Sequence, residues 1–422
     1  MTMLIRPIDA ELLSEVRSRF AHVDTCPFEG ERIFFENAGG ALTLKSVVET
    51  SAKFAAIPDN QGRDNPAAHA LMALIDKAKA DMAVFFNTSG GQFFVGESGT
   101  ELLFRLIRTA CLATEEGRVL GSTLEHPATR SAARHWSEVA GKAHVLVSHD
   151  NATGTVDPDG YRPEITPDTR VATILHTSPV TGMGVDVGAV AAEIRRVAPD
   201  CIIIVDGIQH AAHGRLDIES YDIDGYVVSP YKVFSRHGYG VAWVSDRLNG
   251  LKHEHLIDAP GEPWEFGTRD TGAYATFSDV VDYFDWLGGE VSSAEDRRER
   301  IVAAGEAIHA HEMALTDAMI KGTGNQKGLA EIPGITIIGG AENPKREGLV
   351  SLVVEGMDAP DVVTALRKRG IRTHTRKADH YSGNILDPLG ITSAVRVSLC
   401  HYNSQAEVAQ FLQAIREIAE AN

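Results

Sequence analysis

Between residues 85 and 245 short apolar runs recur along the chain, and stretches with helical periodicity separate them. The runs are FFVGE, RVLGST, HVLVSH, RVATILH, IIIVD, GYVVS and GVAWV. Several are continuously hydrophobic rather than alternating, which is how strands read when helices cover both faces of a sheet. The pattern predicts a mostly parallel, seven-stranded α/β sheet. GVAWV follows GYVVS after one loop and is placed as a possible antiparallel member.

After about residue 275 the pattern changes. DVVDYFDWLGG and RRERIVAAGEAIHAHEMALTDAMI predict long helices. A second unit follows, with strand LVSLVVEG, helix DVVTALRKR, strand IRTHTR, strand AVRVSLCHY and helix EVAQFLQAIREIAE. Asp358 is the expected N-cap of its first helix, with Pro360 in the opening turn and Gly370 just past the end. Ser404 and Glu407 have the spacing of a capping box. The expected division is an N-terminal arm over 1–30, a large α/β domain over 31–280 and a smaller α+β domain over 281–422.

Composition narrows the picture a little. At ~100–200 residues per domain, 422 residues suit this division. The chain is 43% hydrophobic and 23% charged, an ordinary globular balance. A formal charge of −18 argues against non-specific nucleic-acid binding, which requires basic surface to neutralise phosphates. No signal peptide is read at the N-terminus and no apolar stretch is long enough to span a bilayer, so no membrane association and a cytoplasmic location are expected. Cys26, Cys111, Cys201 and Cys400 are scattered, without metal-ligand spacing, and no metal is expected.

The chemistry is expected where apolar strands stop. IIIVD ends on Asp206, with Gln209 three residues on, and GYVVS ends on Ser229, with Lys232 three residues on. In open α/β sheets ligands bind outside the carboxyl ends of the strands, so both pairs face one edge. A carboxylate and an amine at such an edge are what pyridoxal phosphate requires: an acid against its ring nitrogen and a lysine to bind its aldehyde. Ser98, Gly99 and Thr100 lie between a strand and a helix, where free N–H groups form a phosphate site. His126, after Glu125, sits where a flat ring could stack on the cofactor. There is no GxGxxG after a first strand and no P-loop, which argues against a nucleotide site.

VDGIQHAAHGRLDIESYDIDGYVVSPYKVFSRHGYGVAWV resembles the cofactor segment of cysteine desulfurases and other class V aminotransferase-type enzymes of fold type I, and the likeness runs from NAGGALTL to VRVSLCHYN. The resemblance implies pyridoxal phosphate held by Lys232, with Asp206 at the ring nitrogen, Gln209 at the ring oxygen O3′ and His126 on the ring face. It places phosphate on Gly99, Thr100 and Ser229, with Tyr231 where the family has histidine. It gives Arg396 the substrate α-carboxylate and has Thr268 reach the phosphate of a neighbouring subunit, which implies a homodimer with shared sites. Asn37 and Arg63 are further candidates for the substrate pocket.

The departures from that family pattern are informative. RTHTRKADHYSGNIL, which spans the place of the desulfurase nucleophile, holds no cysteine, so persulfide chemistry is not expected. Pro179 stands where the family often has asparagine. Residues 372–381 carry Arg372, His374, Arg376, Lys377, His380 and Tyr381, a set suited to an acidic or multiply polar substrate side chain. The expected function is transamination or β-elimination at the α-carbon of a polar amino acid. Racemisation or epimerisation is the second reading, and a non-catalytic binding protein of the same fold the third.

Overall fold

The computed structural model describes residues 4–261, 263–342 and 344–421. The seven predicted runs form one sheet: β1 (Gln92–Gly96), β2 (Arg118–Ser122), β3 (Ala143–Val147), β4 (Thr169–Leu175), β5 (Ile202–Asp206), β6 (Gly225–Val228) and β7 (Gly240–Val244). Their order is β1-β7-β6-β5-β4-β2-β3. Five adjacent strands run parallel, and β7 is antiparallel to both β6 and β1.

Every residue of β5 and of β7 is buried, because alternate side chains enter two different cores. Ile203 and Val205 pack with Ile174, Val228 and Val241 on one side, while Ile202 and Ile204 pack with Val171, Val227 and Val244 on the other. Each such side chain contributes about 1.5–3 kcal/mol from burial. Continuous apolar strands are the sequence consequence of this two-sided cover.

A second sheet contains β8 (Ile335–Ile337), β9 (Leu349–Val354), β10 (His374–Lys377) and β11 (Ser393–Ser398), ordered β8-β9-β11-β10 and antiparallel throughout. One face is apolar: Val350, Leu352, Val395 and Val397 pack with Val362, Leu366, Phe411 and Ile415 of two covering helices. The other face carries Ser351, Arg396 and Ser398 and meets the first sheet's domain. Ser351 Oγ donates to the Val180 carbonyl at 2.5 Å. The alternation of apolar and polar residues along β9 and β11 thus aims a polar face at the carboxyl edge of the large sheet.

The sequence pattern suggested one strand over IRTHTR, and the chain there is divided in two. Ile371–Arg372 pairs in parallel with Ile33–Phe34, and the following residues join β10. Helix Ala10–Ser18 is capped by Asp9 and buries Val16. Arg17 donates to the Tyr402 carbonyl at 2.6 Å, tying this segment to the C-terminal unit. The Ser404–Glu407 capping box is present. No helix among the described residues is long and apolar enough to cross a membrane.

Candidate active site

A cleft opens at the carboxyl ends of β4, β5 and β6, lined by Thr100, His126, Leu175, Pro179, Asp206, Ile208, Gln209, Ser229, Tyr231 and Lys232. Each polar member owes its position to the end of an element. Asp206 is the last residue of β5, and Lys232 ends the 3-10 turn Pro230–Lys232 after β6. Thr100 opens helix Gly99–Ala113, and His126 caps helix Pro127–Val139.

Asp206 is buried, and burial pushes its carboxyl above the usual range. Two donors hold it: the Ile208 N–H on Oδ1 at 3.1 Å and the Thr129 hydroxyl on Oδ2 at 3.1 Å. Lys232 Nζ lies 3.4 Å from Gln209 Oε1. Burial, reinforced by the nearby Arg396 charge, pulls the amine down to about 7, while Asp206 opposes the shift. Much of this amine is therefore unprotonated and nucleophilic near neutral pH. His126 Nδ1 accepts from the Ala128 N–H at 3.2 Å. Burial first, then the charges of Lys232 and Arg376, pull the imidazole down to about 3, so it is neutral across the physiological range.

Backbone room where helix Gly99–Ala113 begins is limited by the segments that follow β5 and β6. A Cβ on Gly99 would stand 2.4 Å from Ser229 Oγ and 2.6 Å from Ile208 Cδ1. Ser98 has a different task from its neighbour Thr100: its Oγ caps the helix by accepting from the Glu101 N–H at 3.1 Å. Glu125 points into the core, accepts from Thr173 at 2.9 Å and is pushed up to about 8 by burial.

Arg396, on β11, donates from Nη1 to the Pro179 carbonyl at 3.0 Å. Burial brings its guanidinium down to about 9. Pro179 therefore orients an arginine through its carbonyl, a contact that the missing side-chain amide did not suggest. Arg376 lies on the same sheet face, and its charge is felt at His126, Lys232 and Arg396. Tyr231 stacks on His237 with ring centroids 4.3 Å apart.

Ser98, Gly99, Arg376 and Arg396, described above, are not among the lining residues, and three further candidates, Asn37, Thr268 and Arg63, lie outside it as well. Asn37 is buried with its amide engaged: Nδ2 donates to the Ser398 carbonyl at 2.8 Å, and its oxygen accepts from the Tyr402 hydroxyl. Thr268 and Arg63 are exposed. Their segments are neighbours, since Gln61 Nε2 donates to the Arg269 carbonyl at 3.1 Å and to Thr271 Oγ1 at 3.0 Å. The sequence reading missed Thr129, which locks Asp206, and His213 with Glu312, which stand behind Gln209. Thr129 lies three residues beyond His126, one helical turn along the same helix, and that spacing was the available signal.

The residues matched by the model for class-V aminotransferases run from 33 to 298 and from 299 to 411. A nonribosomal peptide synthetase-like enzyme of Aspergillus fumigatus is 26% identical over 92% of this chain, which spans only 26% of that longer protein. A cysteine desulfurase-like protein of Aspergillus flavus is 26% identical over 99% of this chain and 92% of its own length. In fold, the cysteine desulfurase of Thermococcus onnurineus superposes with a TM-score of 0.82 at 19% identity, covering 97% of this chain and 98% of its own. With a family match that spans both sheets and the cleft between them, the chain belongs to the class V aminotransferase family of pyridoxal-phosphate enzymes of fold type I.

Proposed function

We propose that the chain is a pyridoxal-phosphate enzyme that acts at the α-carbon of a polar amino acid, by transamination or β-elimination, without a persulfide-forming cysteine. The observation that carries this reading is the convergence of Asp206, Lys232 and a neutral His126 on one cleft.

The donor set suits the cofactor. Asp206 keeps only two hydrogen bonds for a buried carboxyl, which leaves lone-pair capacity for a protonated ring nitrogen. The free N–H groups at the start of a fifteen-residue helix, beside the Ser229 hydroxyl and with no side chain on Gly99 in the way, suit a phosphate oxygen. Lys232 would hold the aldehyde, Gln209 the ring oxygen, and Thr100, Ser229 and Tyr231 the phosphate. Bound there, pyridoxal phosphate supplies an electron sink for the α-carbon.

The protein's part in the reaction is positioning and proton transfer. Asp206 keeps the ring nitrogen protonated. Arg396 holds the substrate α-carboxylate through its two-pronged guanidinium. The Lys232 amine, with its affinity for protons lowered to about 7, can take the α-proton and return it near neutral pH. His126, uncharged and fixed at Nδ1, presents a flat face without adding positive charge.

The placement of the four cysteines supports the absence of persulfide chemistry. Cys111, Cys201 and Cys400 are buried, and Cys26 is outside the cleft lining. Burial pushes the Cys111 thiol up to about 12, which suppresses its nucleophilic form. The exposed Thr268 and the adjoining Arg63 loop support a homodimer in which these segments serve the partner's site. The test is a panel of polar amino acids and keto-acid acceptors, following keto acid, ammonia and sulfide together. Keto acid with an aminated acceptor identifies transamination, keto acid with ammonia (and, from cysteine, sulfide) identifies elimination, and sulfide accompanied by alanine instead of keto acid and ammonia would overturn the proposal.

A further inference from the structure

Resting on that reading, we propose that Arg376 forms a second anion subsite beside Arg396, and that the substrate is an amino acid whose side chain ends in a carboxylate. The register of the small sheet brings the two arginines together. His374 pairs across from Arg396 and Arg376 across from Ala394, so Arg376 and Arg396 are diagonal neighbours on the face directed at the cleft. The nearby carboxylate on this face is already occupied. Glu36 accepts from Arg372 at 2.7 Å and lies 3.2 Å from His374 Nδ1.

Arg346 shows how this protein satisfies a buried arginine whose role is structural. Its two terminal nitrogens donate to four backbone carbonyls, those of Thr181, Leu349, Ile338 and Gly340, at 2.7–3.2 Å. Arg396 is 2% exposed and has one such contact, to Pro179. Arg376 has one long contact, 3.5 Å to the Tyr381 carbonyl. Neither has a carboxylate partner among the described residues; the Nε of each is buried without a hydrogen-bond partner, as is that of Arg346, so the contrast lies in the terminal nitrogens. Two adjacent guanidiniums left this open present more hydrogen-bond donors than one α-carboxylate can satisfy. A dicarboxylic amino acid supplies one carboxylate to each arginine, and a neutral polar side chain leaves Arg376 unpaired.

The test is isothermal titration of the cofactor-loaded protein with succinate and with butyrate, four-carbon chains that differ by one carboxylate and lack the reacting amine. Succinate is expected to bind at least tenfold more tightly. Arg376→Met is expected to close that gap, Arg376→Lys to restore part of it, and Arg396→Met to weaken both ligands. Equal affinity for the two acids in the wild type overturns the proposal. So does a gap that survives in Arg376→Met, or a failure of both acids to bind. The visible absorbance of the same samples reports separately on the Lys232 reading: absence of the coloured band after loading contradicts that reading, and the comparison of the two acids is made in samples that carry the band.

Discussion

His213 Nδ1 lies 2.8 Å from Glu312 Oε2, and both residues are buried directly behind the cleft wall. The other ring nitrogen of His213 is 3.2 Å from Gln209 Nε2, and Gln209 in turn faces Lys232. The chain of contacts therefore runs from the reactive amine, through an amide, to a buried ion pair. Which end of the Gln209 amide faces the cleft depends on whether the His213 ring nitrogen beside it carries a proton.

Burial alone would lower the proton affinity of His213, but Glu312 overrides it and the net shift is upward. A folded-state pKa above the unfolded one contributes stability that is complete below the unfolded pKa, ~6.5, and is lost as pH rises through the folded value. Glu312→Gln should destabilise the fold by about 3–5 kcal/mol, the usual cost of breaking a buried pair. Denaturant titrations of wild type and Glu312→Gln from pH 5 to 9 should show the difference largest at low pH. A difference that is flat across this range would mean that His213 is neutral in the fold.

The Lys232 amine sits at about 7 in the cofactor-free protein. Its capture of added pyridoxal phosphate, followed by absorbance, should rise with pH to a midpoint near 7, far below the ordinary lysine range. Arg396→Met removes the neighbouring charge that helps lower this value, so its midpoint should move upward. A wild-type midpoint at the ordinary lysine value would contradict the burial described for this residue.

Gly99→Ala places a methyl group 2.4 Å from Ser229 Oγ. Ser229 or the helix start must shift, and the corner assigned to phosphate closes. Pyridoxal phosphate affinity, by equilibrium dialysis, should fall at least tenfold. Affinity for pyridoxal, which lacks the phosphate, should change much less. An equal loss for both ligands would point to general disorder of the cleft.

The large sheet was legible because burial on both faces leaves unbroken apolar runs such as IIIVD, and the strand-end rule then located Asp206 and Lys232. The antiparallel β7 was legible from its short connection to β6. The division of IRTHTR into two pairings was hidden, because Ile371 and Arg372 find their partner in Ile33 and Phe34, far away in sequence. Thr129 and Glu312 were hidden for a related reason. Glu312, in a long charged helix, carries no local sign of its buried partner, and the one-turn spacing of Thr129 from His126 does not by itself reveal that packing brings Asp206 within its reach.

The most direct test of the account is to reduce the purified protein with borohydride and map the modified residue by mass spectrometry, in wild type and in Lys232→Ala. The account predicts a yellow wild-type protein that is bleached by reduction, with one pyridoxyl-phosphate adduct on Lys232, and a variant with no adduct. A wild-type protein that takes up no cofactor, or an adduct on another lysine that persists in Lys232→Ala, would contradict it.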